Sequence, residues 1–257
     1  MNPTLEVIEK RNTARRFTPE PVTEQERDAI LRAAFRAPTT GGMMLYSIIE
    51  VEDQALKDRL AETCHQPFIA KAPYVLIFLA DFQRWTDVYT YSGVQERCQR
   101  LGIPYRTPQA GELMLACSDA LISAQTAVIA AESLGIGSCY VGDILGQYEV
   151  HQQMFNLPRF VLPVTLVCFG HPAVPSTPRP QVPRFDRRFI VHKDRFERIA
   201  QDEVDSMFKL FAGGNAISWQ LSSEAENFGQ EIYLHKFNPE YMVEMARSVN
   251  EMLKNWS

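Results

Sequence analysis

The chain reads as a mixture of helices and strands gathered around one buried helix, and three stretches carry that reading. Residues 116–134 are apolar on every helical face, with only Asp119 and Glu132 charged. A helix without a solvated side belongs inside a large protein or an interface. Residues 73–81 and 160–170 are short, continuous apolar runs of the kind that a sheet buries on both faces. The helix holds too many Ser, Gln and Thr residues among its alanines for a membrane span. It stops at Gly135-Ile136-Gly137, where a C-terminal glycine is expected. The short run that follows, up to Gly142, carries few bulky groups, so its backbone amides could approach a flat ligand.

Length and charge narrow the classes. A chain of 257 residues allows one large domain with a tail, or two small ones. With 26 basic against 31 acidic residues the net charge is −5, which argues against a whole-protein nucleic-acid role but not against a local anion site. Five cysteines are scattered without a C-x-x-C pair, so neither a metal cluster nor a disulfide framework is expected. The N-terminus lacks the charged start and apolar core of a signal peptide, and the expected compartment is the cytoplasm.

In chain order, residues 3–10 read as a short helix capped by Thr4, with Leu5 and Ile8 on its apolar stripe. It runs into the basic cluster Arg11-Asn12-Thr13-Ala14-Arg15-Arg16-Phe17. Such a cluster is either a solvated charged face or an anion site. Arg11 and Arg15, four apart on one side of a helix, would set two guanidinium forks beside the Thr13 hydroxyl, which suits a phosphate. Thr23 and Glu26 form a capping box for a helix carrying Ile30, Leu31 and Ala34 that ends before Pro38. Pro38 to Gly42 reads as a loop and residues 43–51 as a buried strand. A helix over 54–63 follows, with His65 beyond it as a surface or capping residue. Residues 82–112 are an aromatic-rich helical excursion, a lid or simply packing, and residues 144–157 are again helical. Five prolines at 172, 175, 178, 180 and 183 make a stiff, extended arm that must lie across this chain or a partner. A short strand at 189–191 and a long helical tail, amphipathic near 241–249, complete the chain.

The usual nucleotide signatures are absent. Gly135, Gly137 and Gly142 miss the G-x-G-x-x-G spacing, and they follow a helix where that motif must follow a strand. No G-x-x-x-x-G-K-S/T or G-x-S-x-G occurs, and no carboxylate pair or metal-spaced histidine set stands out. Dispersed anion and polar contacts without an acid, base or nucleophile are what remain when a cofactor carries the reaction.

Five segments in order resemble the nitroreductase family of FMN enzymes, in the branch of oxygen-insensitive NADPH nitroreductases and flavin reductases. Residues 11–17 resemble its R-x-S/T-x-R-x-F phosphate motif, and Ala37-Pro38-Thr39-Thr40 its A-P-S/T loop along the ribityl and isoalloxazine region. Gln66 stands where this branch has a flavin-contacting glutamine. Residues 135–142 resemble its glycine loop, whose amides face the flavin N5 and O4 edge, and the arm around Arg179 resembles its returning basic segment.

The resemblance implies an α+β fold with a mixed, mainly antiparallel sheet flanked by helices, built as an intertwined homodimer with FMN at the interface. Residues 1–200 would form the FMN-binding domain and residues 201–257 a C-terminal helical extension. The implied flavin contacts are Arg11, Asn12, Thr13, Arg15, Pro38, Thr39, Thr40, Gly41, Met44, Gln66, Tyr140, Val141, Gly142 and Arg179. No metal and no side-chain catalyst is implied. NAD(P)H would donate a hydride in a ping-pong reaction, and a small electron-poor acceptor such as a nitroaromatic or quinone would receive it. Two rivals are a reductase of free flavin or of one dedicated metabolite, and a flavin-binding protein without turnover. The sequence departs from the family at Gly42 and Met44, which stand where Asn and Gln are common, and at Gln181 in the proline arm.

Overall fold

The computed structural model describes residues 2–174, 181–212 and 221–256. Its helices and strands follow in the order α1 Pro3–Lys10, α2 Glu24–Phe35, β1 Tyr46–Glu50, α3 Gln54–Thr63, β2 Tyr74–Asp81, α4 Gln83–Tyr91, α5 Val94–Leu101, α6 Ala110–Ser133, β3 Gly137–Val141, α7 Tyr148–Met154, β4 Val161–Gly170, α8 Val204–Ala212, α9 Phe228–Ile232 and α10 Glu240–Trp256. Packing divides the chain into two compact units, Met1–Ser176 with Val243–Ser257, and Thr177–Met242. The last helix therefore returns most of its length to the first unit.

The sheet of the first unit has the order β1-β2-β4-β3, and every neighbouring pair is antiparallel. β2 and β4 are central and almost wholly buried, as their unbroken apolar sequences require. On one face α6 packs its alanines against Leu76, Phe78, Val167 and Phe169. The opposite face, with Val75, Ile77, Leu166 and Cys168, is covered by Leu60, Cys64 and Ile69 from α3 and its sequel. A third cluster seats Met252 and Trp256 of α10 against Phe160 and Leu162.

α6 is half buried, where burial all round is expected from its sequence. Ala116, Ala120, Ala124, Ala127 and Ala131 face the sheet at 0% exposure, while Met114, Leu115, Leu121 and Ile122 stand 69%, 45%, 47% and 41% exposed. The apolar outer stripe is real, but nothing among the described residues covers it.

Smaller differences have local causes. The cap of α1 is Asn2, whose side chain accepts from the Thr4 amide at 2.9 Å, so Thr4 is the capped residue. The Thr23–Glu26 capping box forms in both directions, at 3.3 and 2.8 Å. No strand forms over 189–191. Asp186 accepts from the Arg188 amide at 3.0 Å and closes a 3-10 turn, Arg187–Phe189. The tail is several helical pieces, from the 3-10 turn Gln201–Glu203 and α8 to α10.

Candidate functional site

α1 ends at Lys10, and the chain then runs extended through residues 12–17, so Arg11 and Arg15 do not share a helix as their spacing predicts. This segment lies along the outer edge of β3. Thr13 bridges Ser138 in parallel sense, and the Ala14 amide donates to the Ser138 carbonyl at 2.9 Å. Its far end is tied beyond β4, where the Ala173 amide donates to Arg16 and the Thr18 amide to His171. Gly137 makes the close approach possible: a Cβ there would stand 2.6 Å from the Ala14 Cβ and 2.8 Å from Pro172.

Extended backbone alternates, so burial of Ala14 turns Thr13 and Arg15 to the opposite side. Arg15 and Arg11 both converge on Cys139 of β3. Burial pushes that thiol up and the two guanidiniums oppose the shift. Burial also lifts the Tyr140 hydroxyl to about 12 against the pull of Arg11. Arg11 likewise works against the rise that burial imposes on Glu132 near the end of α6. Two fixed positive charges and a hydroxyl thus gather where β3 begins, whichever way Asn12 points.

The edge of β3 is the second component. Since Ser138 turns its carbonyl outward to Ala14, strand alternation places the amide of Tyr140 on the same outer edge. Val141 is in the opposite phase: its amide faces β4 and its side chain enters the core. At the strand's end a Cβ on Gly142 would meet nothing within 4 Å, so there is open space over the backbone. The Tyr140 ring is anchored through its hydroxyl, which donates to Gln125 of α6 at 3.2 Å. Gln66 reaches this turn from the end of α3, donating its amide to Asp143 at 3.0 Å. Arg11, Thr13, Arg15, Gln66, Tyr140 and Gly142 are therefore brought to one edge of the sheet.

The loop from Pro38 to Met44 lies elsewhere. Its organiser is Asp119 of α6, 2% exposed, whose carboxylate accepts from the Thr39 hydroxyl, the Thr40 amide and hydroxyl, and the Leu45 amide, at 2.5 to 3.1 Å. Both threonine hydroxyls are thus turned inward. Gly41, Gly42 and Met44 all have positive φ, at 55°, 73° and 50°. The strained Met44 is held by its amide donating to Thr39 at 2.8 Å and by Arg84 donating to its carbonyl at 3.0 Å. Asp119 and Glu132 are 13 residues apart on α6, which at 1.5 Å per residue separates this loop from Arg11 by about 20 Å. Within one chain the loop is therefore remote from the phosphate side of the site. Arg179 lies outside the described residues.

Asp119, Arg84, Thr63 and His151 are site-organising residues that the sequence reading passes over. Asp119 had a visible signal, as one of only two charged residues in an otherwise apolar helix. The others have none, because each bridges to a residue far off in the chain: Arg84 to Ser47, 37 residues away, and Thr63 to His151, 88 residues away.

The donor set fits a flat, phosphorylated ligand: paired guanidiniums and a hydroxyl for the anion, and an open strand edge with unobstructed amides for a planar ring. Comparison with known proteins places the chain and its fold in one class. The sequence model of the nitroreductase family matches residues 8–171. The oxygen-insensitive NADPH nitroreductase of Salmonella typhimurium is 31% identical over 251 residues, covering 92% of this chain and 98% of that protein. An FMN reductase (NADPH) of Bacillus subtilis is 31% identical over 72% of both chains. Among solved structures, the NADPH:FMN oxidoreductase of Vibrio harveyi complexed with NAD+ shares the fold at a TM-score of 0.78, with 22% identity over 98% of each chain. Nitroreductase A of Vibrio parahaemolyticus does so at 0.81, with 20% identity over 98% of each chain. The chain belongs to the nitroreductase family.

Proposed function

We propose that the protein is an NAD(P)H-dependent FMN oxidoreductase that reduces nitroaromatics, quinones or related electron-poor acceptors. The observation that carries this reading is the convergence of Arg11, Thr13 and Arg15 on an open strand edge, in a chain 31% identical to a nitroreductase along nearly its whole length. Arg11 and Arg15 would hold the phosphate with Thr13 and Asn12 beside them, and Gln66 with the Tyr140 and Gly142 amides would border the ring. When bound, FMN supplies the hydride chemistry, taking two electrons from NAD(P)H and giving them to the acceptor. The chain's part is to bind, orient and polarise: backbone donors fixed in advance stabilise negative charge as it grows on the ring. No side chain need serve as acid or base.

The site is complete in a homodimer. Pro38, Thr39, Thr40, Gly41 and Met44 stand about 20 Å from the phosphate side along α6 of their own chain, so a second copy has to supply that loop. The apolar outer stripe of α6 is the surface such a copy would cover. Arg179 would add a further basic contact to the phosphate. On this reading residues 1–200 hold the flavin, residues 201–257 are a C-terminal extension, and the enzyme works in the cytoplasm.

Reduction of free flavin is the second reading, favoured by relatives named FMN reductase. Steady-state assays with nitrofurazone, menadione and free FMN separate the two. Turnover of the first two acceptors is expected, and activity confined to free FMN would leave only the second reading standing.

A further inference from the structure

We propose that His151 is a positioning residue for the flavin edge, locking Gln66 and the turn after Gly142 at a fixed spacing. The proposal rests on the reading that these two groups border FMN. His151 sits in α7 at 0% exposure, with Nδ1 3.0 Å from the Ile144 carbonyl and Nε2 2.8 Å from the Thr63 hydroxyl. A carbonyl only accepts, so Nδ1 carries a proton. Burial is the chief influence on the ring and pushes its pKa down, which leaves Nε2 as a lone pair that accepts the Thr63 hydroxyl proton. The imidazole therefore joins the end of α3 to the turn after Gly142.

Those segments are the ones at issue. Thr63 ends α3, three residues before Gln66, and Ile144 comes two residues after Gly142. The Gln66 amide donates to Asp143 at 3.0 Å, next to Ile144. Chain and hydrogen bonds thus close a ring that runs from His151 to Thr63, along the backbone to Gln66, across to Asp143 and Ile144, and back to the imidazole. Gln147 strengthens it by donating its side-chain amide to the Thr63 carbonyl at 3.3 Å. A closed ring transmits displacement: cutting the Thr63 link leaves only the Gln66–Asp143 bond and the longer Gln147 contact to hold the spacing, and the distance between the Gln66 donor and the Gly142 amide is then less tightly fixed. Donors preorganised for developing negative charge favour the reduced ring over the oxidised one, so loosening them lowers the midpoint potential.

Two substitutions cut that one link. His151→Asn keeps a donor near the Nδ1 position and removes Nε2, and Thr63→Val keeps the side-chain size and removes the hydroxyl. Holoprotein of each, of the double variant and of Gln66→Ala is titrated spectroscopically for the FMN midpoint potential and for the affinity of oxidised FMN. Reduced FMN is expected to lose about tenfold in affinity relative to oxidised FMN in both single variants, a fall of about 30 mV for a two-electron couple. The double variant should fall no further. If His151→Asn does not fold, Thr63→Val alone decides. Unchanged potentials in both beside a shift in Gln66→Ala would overturn the role of His151 and leave the site reading intact. No change in Gln66→Ala either would remove the site reading and this inference with it.

Discussion

Asp119 accepts four hydrogen bonds from one loop while lying 2% exposed, so an amide in its place would face donors with a donor. Asp119→Asn should therefore lower stability by about 2 to 3 kcal/mol, since an orphaned buried donor costs about 1 to 3 kcal/mol. Urea midpoints of the two proteins measure this. At the ligand, Arg11→Ala and Arg15→Ala each remove a charge-assisted contact worth about 1.5 to 3 kcal/mol. FMN affinity should drop about tenfold to a hundredfold, read by flavin fluorescence on titrating apoprotein, and unchanged affinity in both variants would refute the clamp. These arginines were legible in the sequence as residue types in a motif, but their geometry was not. A spacing of four suggested a helix, whereas pairing with Ser138, 124 to 125 residues away, pulls the segment straight. Long-range pairing leaves no periodicity to read. Thr39 and Thr40 teach the converse: the loop was located correctly, but a distant carboxylate had already claimed its hydroxyls.

Among the elements, β3 matters through what leans on its edge. Gly137→Ala would put a methyl 2.6 Å from the Ala14 Cβ, and overpacking of that kind costs about 1 to 3 kcal/mol. The segment carrying Thr13 and Arg15 should be displaced, with FMN retention on purification falling alongside the thermal midpoint. The last helix is held at Glu244, which accepts from Arg247, Ser248 and the Gln147 amide, while Arg247 also clasps Glu149. The Arg247 guanidinium is the main cause that holds the Glu244 carboxyl at about 2, below its ordinary 4.5. A depressed carboxylate stabilises the fold above its unfolded value and loses that contribution as pH falls through the folded one. α10 should accordingly loosen between about pH 4.5 and 2. Fluorescence of Trp256, buried against Phe160, would report the release, and Glu244→Gln, with only Glu149 left to titrate against Arg247, should change less across that window. Helices with strong caps and the two central strands were legible because each signal is local. The supposed strand at 189–191 failed because a side-chain turn at Asp186 outcompeted β-branched residues that pair with no strand among the described residues.

At the scale of the whole molecule, the outer stripe of α6 is the feature that one chain leaves unexplained. The sequence announced it as a helix without a solvated side, and the fold buries only half of it, so a second copy is the economical cover. Leu121→Arg with Ile122→Glu should convert a dimer of twice the chain mass into a monomer by light scattering, and the monomer should retain little FMN, because the loop from Pro38 to Met44 would no longer reach the phosphate side of the other chain. A monomer that holds FMN as tightly as the parent would break the link between assembly and site. The donor of electrons and the pigment are tested together in one cuvette. Purified protein, reconstituted with FMN and freed of excess, should show a flavin absorption band that bleaches when NADPH or NADH is added under nitrogen. Protein that takes up no FMN, or a bound band that neither nucleotide bleaches, would contradict the account.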